Sequence, residues 1–182
     1  DSFESNCDCT NPYNYTAVNT CTDPSYLAYK GIDLVELWNK HSVDGLDYTS
    51  YTPEVGMTDY KVNYGGYSLT FLSQENADVF EADPGKYVPA WGGFCSLGIA
   101  AEFCNFDYYW DKECLGPMPS IDTWQYIEGR LYLFRSSIAM SVFNVYQDKM
   151  VETGDSRWAG WYKDSEIVVN TDCMYMNSNS LT

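Results

Sequence analysis

In the run DYKVNYGGYSLTF, Gly65-Gly66 separates two stretches of alternating residues, and this feature most narrows what the chain can fold into. Two glycines tolerate the positive φ angles that a two-residue hairpin loop demands, and a loop of that length fixes the strand register. Tyr64 is then expected opposite Tyr67, Val62 opposite Leu69 and Tyr60 opposite Phe71. All six share one face, while Lys61, Asn63, Ser68 and Thr70 share the other. The residues that follow, LSQENADVFEADPGKY, carry helix punctuation. Ser73 is placed to cap a helix, and Glu75 sits in the first turn, where the helix dipole favours an acid. Ala77 and Phe80 form the apolar stripe. Pro84 keeps Asp83 out of helical geometry, so the helix ends there.

The same reading extends along the chain. GIDLVELWNKHS spaces Leu34, Val35, Leu37 and Trp38 as a short helix would. GGFCSLGIAAEF reads as a glycine pair followed by a buried helix. A second hairpin, TWQYIEGRLYLF, turns at Glu128-Gly129 and sets Tyr126 against Leu131 and Trp124 against Leu133. SSIAMSVFNVYQDKM is expected to be one long amphipathic helix burying Ile138, Val142, Val145, Tyr146 and Met150. DSRWAGWYKD is a final short helix or turn. No internal repeat or long linker is evident. The order of helix, hairpin, helix, helix, hairpin, helix predicts an α+β domain of antiparallel β-hairpins packed with short helices and stabilised by disulfides. Its expected bounds are 26–165, with a cysteine-bounded insertion loop at 102–118. A disulfide-tethered segment precedes it at 1–25 and a tail follows at 166–182; both ends are polar and lack periodicity.

The chain has 182 residues and seven cysteines. None forms a CxxC pair, which argues against a zinc ribbon or a thioredoxin-type motif. Cys7, Cys9, Cys21 and Cys173 are candidates for two bonds joining the ends, and Cys104 and Cys114 for one across the aromatic loop CNFDYYWDKEC. Cys95 is then left over. Sequence alone does not fix this connectivity. Asn14-Tyr15-Thr16 is a glycosylation sequon. Cysteines and sequon together predict a secreted, extracellular glycoprotein from an oxidising compartment. No signal peptide is visible and no apolar run is long enough to span a membrane; the chain is read as beginning at or near a processing site. The formal net charge of −16 repels DNA, RNA and anionic lipid, so a nucleic-acid partner is excluded as a leading idea.

The blocks YSLTFLSQENADVFEADPGKYVPAWGGFCSLGIA, TWQYIEGRLYLF and DSRWAGW, taken in that order, resemble the secreted YHS-domain proteins over about residues 26 to 163. GIDLVELW is similar to the opening of that family. The resemblance implies metal handling, with copper ahead of zinc or iron. Small relatives in metal-transport proteins hold their metal through one cysteine before the capped helix and another inside it. The matching positions here are Leu72 and Asn76, neither a good transition-metal ligand. The longer secreted branch keeps only the thiol matched by Cys95.

Cys95 therefore has three readings: a small buried hydrophobe, a copper ligand, or a redox or partner-bonding thiol. His41, the single histidine, follows a helix and suits the C-terminal dipole; one histidine does not build a histidine-cluster centre. Met174 and Met176 flank Tyr175 beside Cys173 and offer soft sulfur for Cu(I). The expected metal set is thus Cys95, His41, Met174 and Met176. A second hypothesis is an extracellular protein or glycan interaction module, using Tyr108, Tyr109 and Trp110 of the insertion loop with Trp158, Trp161 and Tyr162. A metal- or thiol-dependent redox enzyme comes third, because no catalytic motif surrounds Cys95 or His41.

Overall fold

The computed structural model describes residues 15–101, 111–163 and 166–176. Short strand β1 (Tyr15–Ala17) and helix α1 (Val18–Cys21) lead to helix α2 (Leu34–Ser42), strands β2 (Met57–Tyr64) and β3 (Tyr67–Phe71), and helix α3 (Gln74–Ala82). Helix α4 (Ser96–Ala100), strands β4 (Cys114–Pro117), β5 (Ser120–Ile127) and β6 (Arg130–Phe134), and helices α5 (Ser137–Val145) and α6 (Gln147–Trp161) follow. Each sheet has two antiparallel strands: β1 with β4, β2 with β3, and β5 with β6. The expected α+β plan of hairpins packed with helices holds.

Both hairpins keep the register that their turns dictate. Tyr64 pairs with Tyr67 and Val62 with Leu69, and Tyr126 pairs with Leu131 and Trp124 with Leu133. The expected Tyr60–Phe71 pair does not form. The register shifts between Met57 and Lys61, and Phe71 pairs with Met57 instead. Gly56 permits this: a Cβ there would overlap the backbone of Thr70 and Phe71. Hairpin β5–β6 lies between two apolar cores. Trp124, Leu131 and Leu133 face the core containing Leu37, Phe71 and Phe80. Ile127, Tyr132 and Phe134 face the core containing Phe94, Ile99 and Phe143.

One unit is built twice, a repeat that the sequence does not announce. Ala28 to Asp33 and Ala90 to Cys95 follow the same course. Tyr29, Lys30 and Gly31 take φ values of 53°, 51° and 79°, and Trp91, Gly92 and Gly93 take 50°, 64° and 75°. Each turn delivers the N-cap of a helix, Asp33 for α2 and Cys95 for α4. Each helix is followed by a hairpin and then by a serine-capped helix. Ser73 Oγ accepts from Asn76 N at 3.1 Å, and Ser136 Oγ accepts from Ala139 N at 3.3 Å. Phe80 in α3 and Phe143 in α5 are each fully buried.

Residues 136–150 do not form the single helix expected, and the stretch expected as a separate final helix or turn continues α6 to Trp161. The helix breaks at Tyr146 (φ −127°, ψ 38°), and the inward stripe of α5 is Ala139, Met140 and Phe143. Ile138, Val145 and Tyr146 are exposed, while Met150 is buried as expected. The capped position of Ser136 sets the helical phase, and that phase turns the β-branched stripe outward. The C-terminal stretch 168–173 is also firmly engaged, despite its polar composition. Asn170 O accepts from Tyr29 N at 2.8 Å, and Asn170 N donates to Gly92 O at 2.8 Å, so one residue ties the two left-handed turns together. Asn170 and Thr171 are fully buried. The Cys21–Cys173 disulfide secures this segment.

Candidate functional site

The junction of the two units opens into a cleft of about 490 Å³. Tyr29 and Tyr64 reach it from the first unit, and Trp91 and Arg130 from the second. Helix α6 contributes Asp155 and Trp158, and the C-terminal stretch closes another side with Ile167, Val168 and Val169. The local sequence explains this wall. Gly92 leaves room for the Val168 carbonyl, and a Cβ on Gly154 would overlap the Trp91 ring. These glycines let α6 and the C-terminal stretch approach the left-handed turn closely.

Asp155 organises the polar side of the cleft. Its Oδ1 accepts from Trp91 Nε1 at 2.9 Å and from Arg130 Nη2 at 3.0 Å, and its Oδ2 accepts from Arg130 Nη1 at 3.0 Å. The two-pronged pairing holds a guanidinium and a carboxylate in one orientation. The guanidinium carbon also lies 5.5 Å from the Tyr132 ring centroid, within cation–π range. Arg130 and Asp155 remain half-exposed, at 44% and 46% of their side-chain surface, so donors and acceptors still face solvent there.

Trp158 and Tyr162 form the aromatic side, with ring centroids 4.6 Å apart. Trp158 rests on Phe94 at 6.3 Å, and Tyr162 Oη donates to the Lys112 carbonyl at 2.7 Å. Both rings are half-buried, each held by a neighbour. Burial, followed by the charges of Asp111, Glu166 and Glu113, pushes the Tyr162 hydroxyl pKa up, so it stays a neutral donor. A cleft with flat apolar rings on one side and an oriented Arg–Asp pair on the other can hold a polar molecule that has an apolar face.

The residues expected to hold metal sit elsewhere. Cys95 is fully buried and is the free cysteine among the described residues. Its Sγ accepts from Arg135 N at 3.4 Å. Burial pushes its thiol pKa up, opposed by the N–H groups of Gly98, Arg135 and Leu97 and by the charge of Arg135. His41 stacks on Tyr126 at 4.6 Å, meets Trp124 edge-on at 6.0 Å, and places Nδ1 3.2 Å from the Leu46 carbonyl. Met174 is buried in the first core, whereas Met176 is exposed. Among the described residues no group of three or more His, Cys, Asp or Glu side chains could hold a metal ion. Leu72 and Asn76, the positions that the resemblance sets against cysteine ligands, both serve Asp33. Leu72 N and Asn76 Nδ2 donate to its Oδ2 at 2.7 and 2.8 Å.

Of the other candidates, Trp158 lines the cleft, while Trp161 packs under Arg157, whose guanidinium carbon is 4.6 Å from its ring. Cys21 and Cys173 are paired with each other, and Cys114 is disulfide-bonded. Cys7, Cys9, Cys104, Asn14, Tyr108, Tyr109 and Trp110 also lie outside them. The sequence reading missed Arg130 and Asp155, which stand far apart in the chain and fit no motif. Among the described residues no helix is long and apolar enough to cross a membrane. No family model, curated protein or solved structure matches the chain, so the resemblance to secreted YHS-domain proteins rests on the motifs quoted above.

Proposed function

We propose that the protein is an extracellular binding module that seats a saccharide in the cleft between its two units. The observation that carries this reading is the meeting of Trp158 and Tyr162 with the Arg130–Asp155 pair in one open cleft. Pyranose rings offer C–H faces that stack on aromatic side chains and hydroxyl pairs that match a carboxylate or guanidinium. The Cys21–Cys173 bond and the bonded state of Cys114 support an oxidising, extracellular setting. A glycan array tests the proposal: a coherent set of saccharides should bind, and Trp158→Ala should abolish that binding. An array without hits, or hits indifferent to Trp158, would overturn it. For copper handling, the role implied by the resemblance, the support is one buried free thiol, Cys95, and elemental analysis of protein from its native source is the test.

A further inference from the structure

A second hollow, of about 350 Å³, adjoins the cleft between the β5–β6 turn and the start of α6. Ile127, Tyr132 and Val151 form its floor, and the side chains of Glu128, Gln147 and Asp148 stand at its rim. Glu152, also at the rim, is paired with Lys149 at 3.0 Å. Arg130 lines both the cleft and this hollow. Its guanidinium carbon lies 6.0 Å from the ring centroid of Trp91 in the cleft wall and 5.5 Å from that of Tyr132 in the floor of the hollow. One side chain therefore stands between the two spaces. Asp155 takes one N–H from each terminal nitrogen of Arg130. A guanidinium carries more N–H groups than that pairing uses, and 44% of the Arg130 side chain is exposed. The hairpin turn adds to this. Glu128 takes φ 49° at the loop position where the other hairpin has Gly65, at φ 57°. Glycine, asparagine or aspartate is the usual residue there, so a glutamate is held against local preference, with its carboxylate at the rim of the hollow.

We propose that the binding site extends past Arg130 into this second hollow, so that its ligand is a neutral oligosaccharide spanning both spaces rather than a single sugar residue. This rests on the saccharide reading above and adds the ligand's length to it. One pyranose would lie against Trp158 and Tyr162. The chain would then pass over Arg130, whose remaining N–H groups donate to its oxygens. Hydroxyls of the residue in the second hollow would donate to the carboxylates of Glu128 and Asp148. Those carboxylates repel an acidic sugar, so an uncharged chain fits best. Once the first residue is seated, the second contact is intramolecular, and linkage of this kind raises affinity by about 10²-fold or more where the geometry allows both contacts.

The test uses the full chain and calorimetric titration with malto-, cello- and N-acetylchito-oligosaccharides, each from the single sugar to the tetramer. The expected result is that in at least one series the trimer binds about tenfold or more tightly than the single sugar. Val151→Trp, which fills the second hollow, should bring that ratio close to one in protein that still melts cooperatively. A Gln147→Ala, Asp148→Ala double variant, which strips the rim without adding bulk, should shrink the ratio and serves if the larger substitution disturbs folding. Equal affinity for the single sugar and the trimer would overturn the extension and leave the saccharide cleft standing. A gain with length that survives both variants would also overturn it. Failure of every sugar to bind would remove both proposals.

Discussion

Asp33 and Cys95 hold the same place in the two units. Each stands two residues beyond a run of three positive φ values, each occupies the N-cap position of a helix, and each accepts the N–H of the residue between a strand and a serine cap. That donor is Leu72 N for Asp33, at 2.7 Å, and Arg135 N for Cys95, at 3.4 Å. Asp33 also accepts from Val35 N and Glu36 N at 2.9 Å and from Asn76 Nδ2 at 2.8 Å. The first unit thus fastens its turn, helix and hairpin through one buried carboxylate, where the second uses a thiol.

Removing that carboxylate should be costly. Loss of an N-cap costs ~1 kcal/mol, and each buried donor left without a partner costs about 1–3 kcal/mol. Asp33→Ala is therefore expected to lower unfolding stability by roughly 3–5 kcal/mol in a urea titration. Asn76→Ala should cost much less, because Ala139 stands at the matching place in the second unit. A loss below ~1 kcal/mol for Asp33→Ala would show that the carboxylate does not fasten the unit.

Cys95 should be inert in the native state. Its thiol is fully buried and burial raises its pKa, so the unfolded chain loses this proton first. The group's contribution to stability is complete below the ordinary thiol pKa of ~8.5 and is lost as pH rises above it. Native protein and a Cys95→Ala variant should take up equal amounts of a thiol reagent and differ by one label only after denaturation. Rapid labelling of native Cys95 would contradict this account and reopen the redox reading.

The Cys21–Cys173 bond should matter to the fold and to the cleft wall. It joins residues separated by 152 positions, and closing so long a loop stabilises a chain by about 2–5 kcal/mol. A Cys21→Ser, Cys173→Ser double variant is expected to melt at a lower temperature and to exchange the amide hydrogens of Asn170 and Thr171 faster. Unchanged exchange at both residues would mean that the backbone bonds alone hold the segment.

Much of the local structure was legible because it depends on punctuation. Gly65-Gly66 and Glu128-Gly129 set both hairpins, and Ser73 and Pro84 set the bounds of α3. The phase of α5 was not legible, because Ile138, Val142 and Val145 offer a stripe that competes with Ala139, Met140 and Phe143. The break at Tyr146 carries no glycine or proline to signal it. The repeated unit was hidden because the two copies share few residues beyond Gly66 and Gly129, Phe71 and Phe134, Ser73 and Ser136, and Phe80 and Phe143. Trp158 could be named from the sequence as a candidate, but its partners could not. Arg130, Asp155 and Tyr64 meet it through tertiary packing of α6 against a left-handed turn, which has no sequence motif.

The most direct measurement is a calorimetric titration with a saccharide found on the glycan array, comparing wild-type protein with Trp158→Ala and Trp161→Ala. Trp158 lines the cleft and Trp161 does not. A buried aromatic anchor is commonly worth ~2 kcal/mol or more in binding. The account predicts a tenfold or greater loss of affinity for Trp158→Ala in protein that still melts cooperatively, and wild-type affinity for Trp161→Ala. Equal affinities in all three proteins would contradict it.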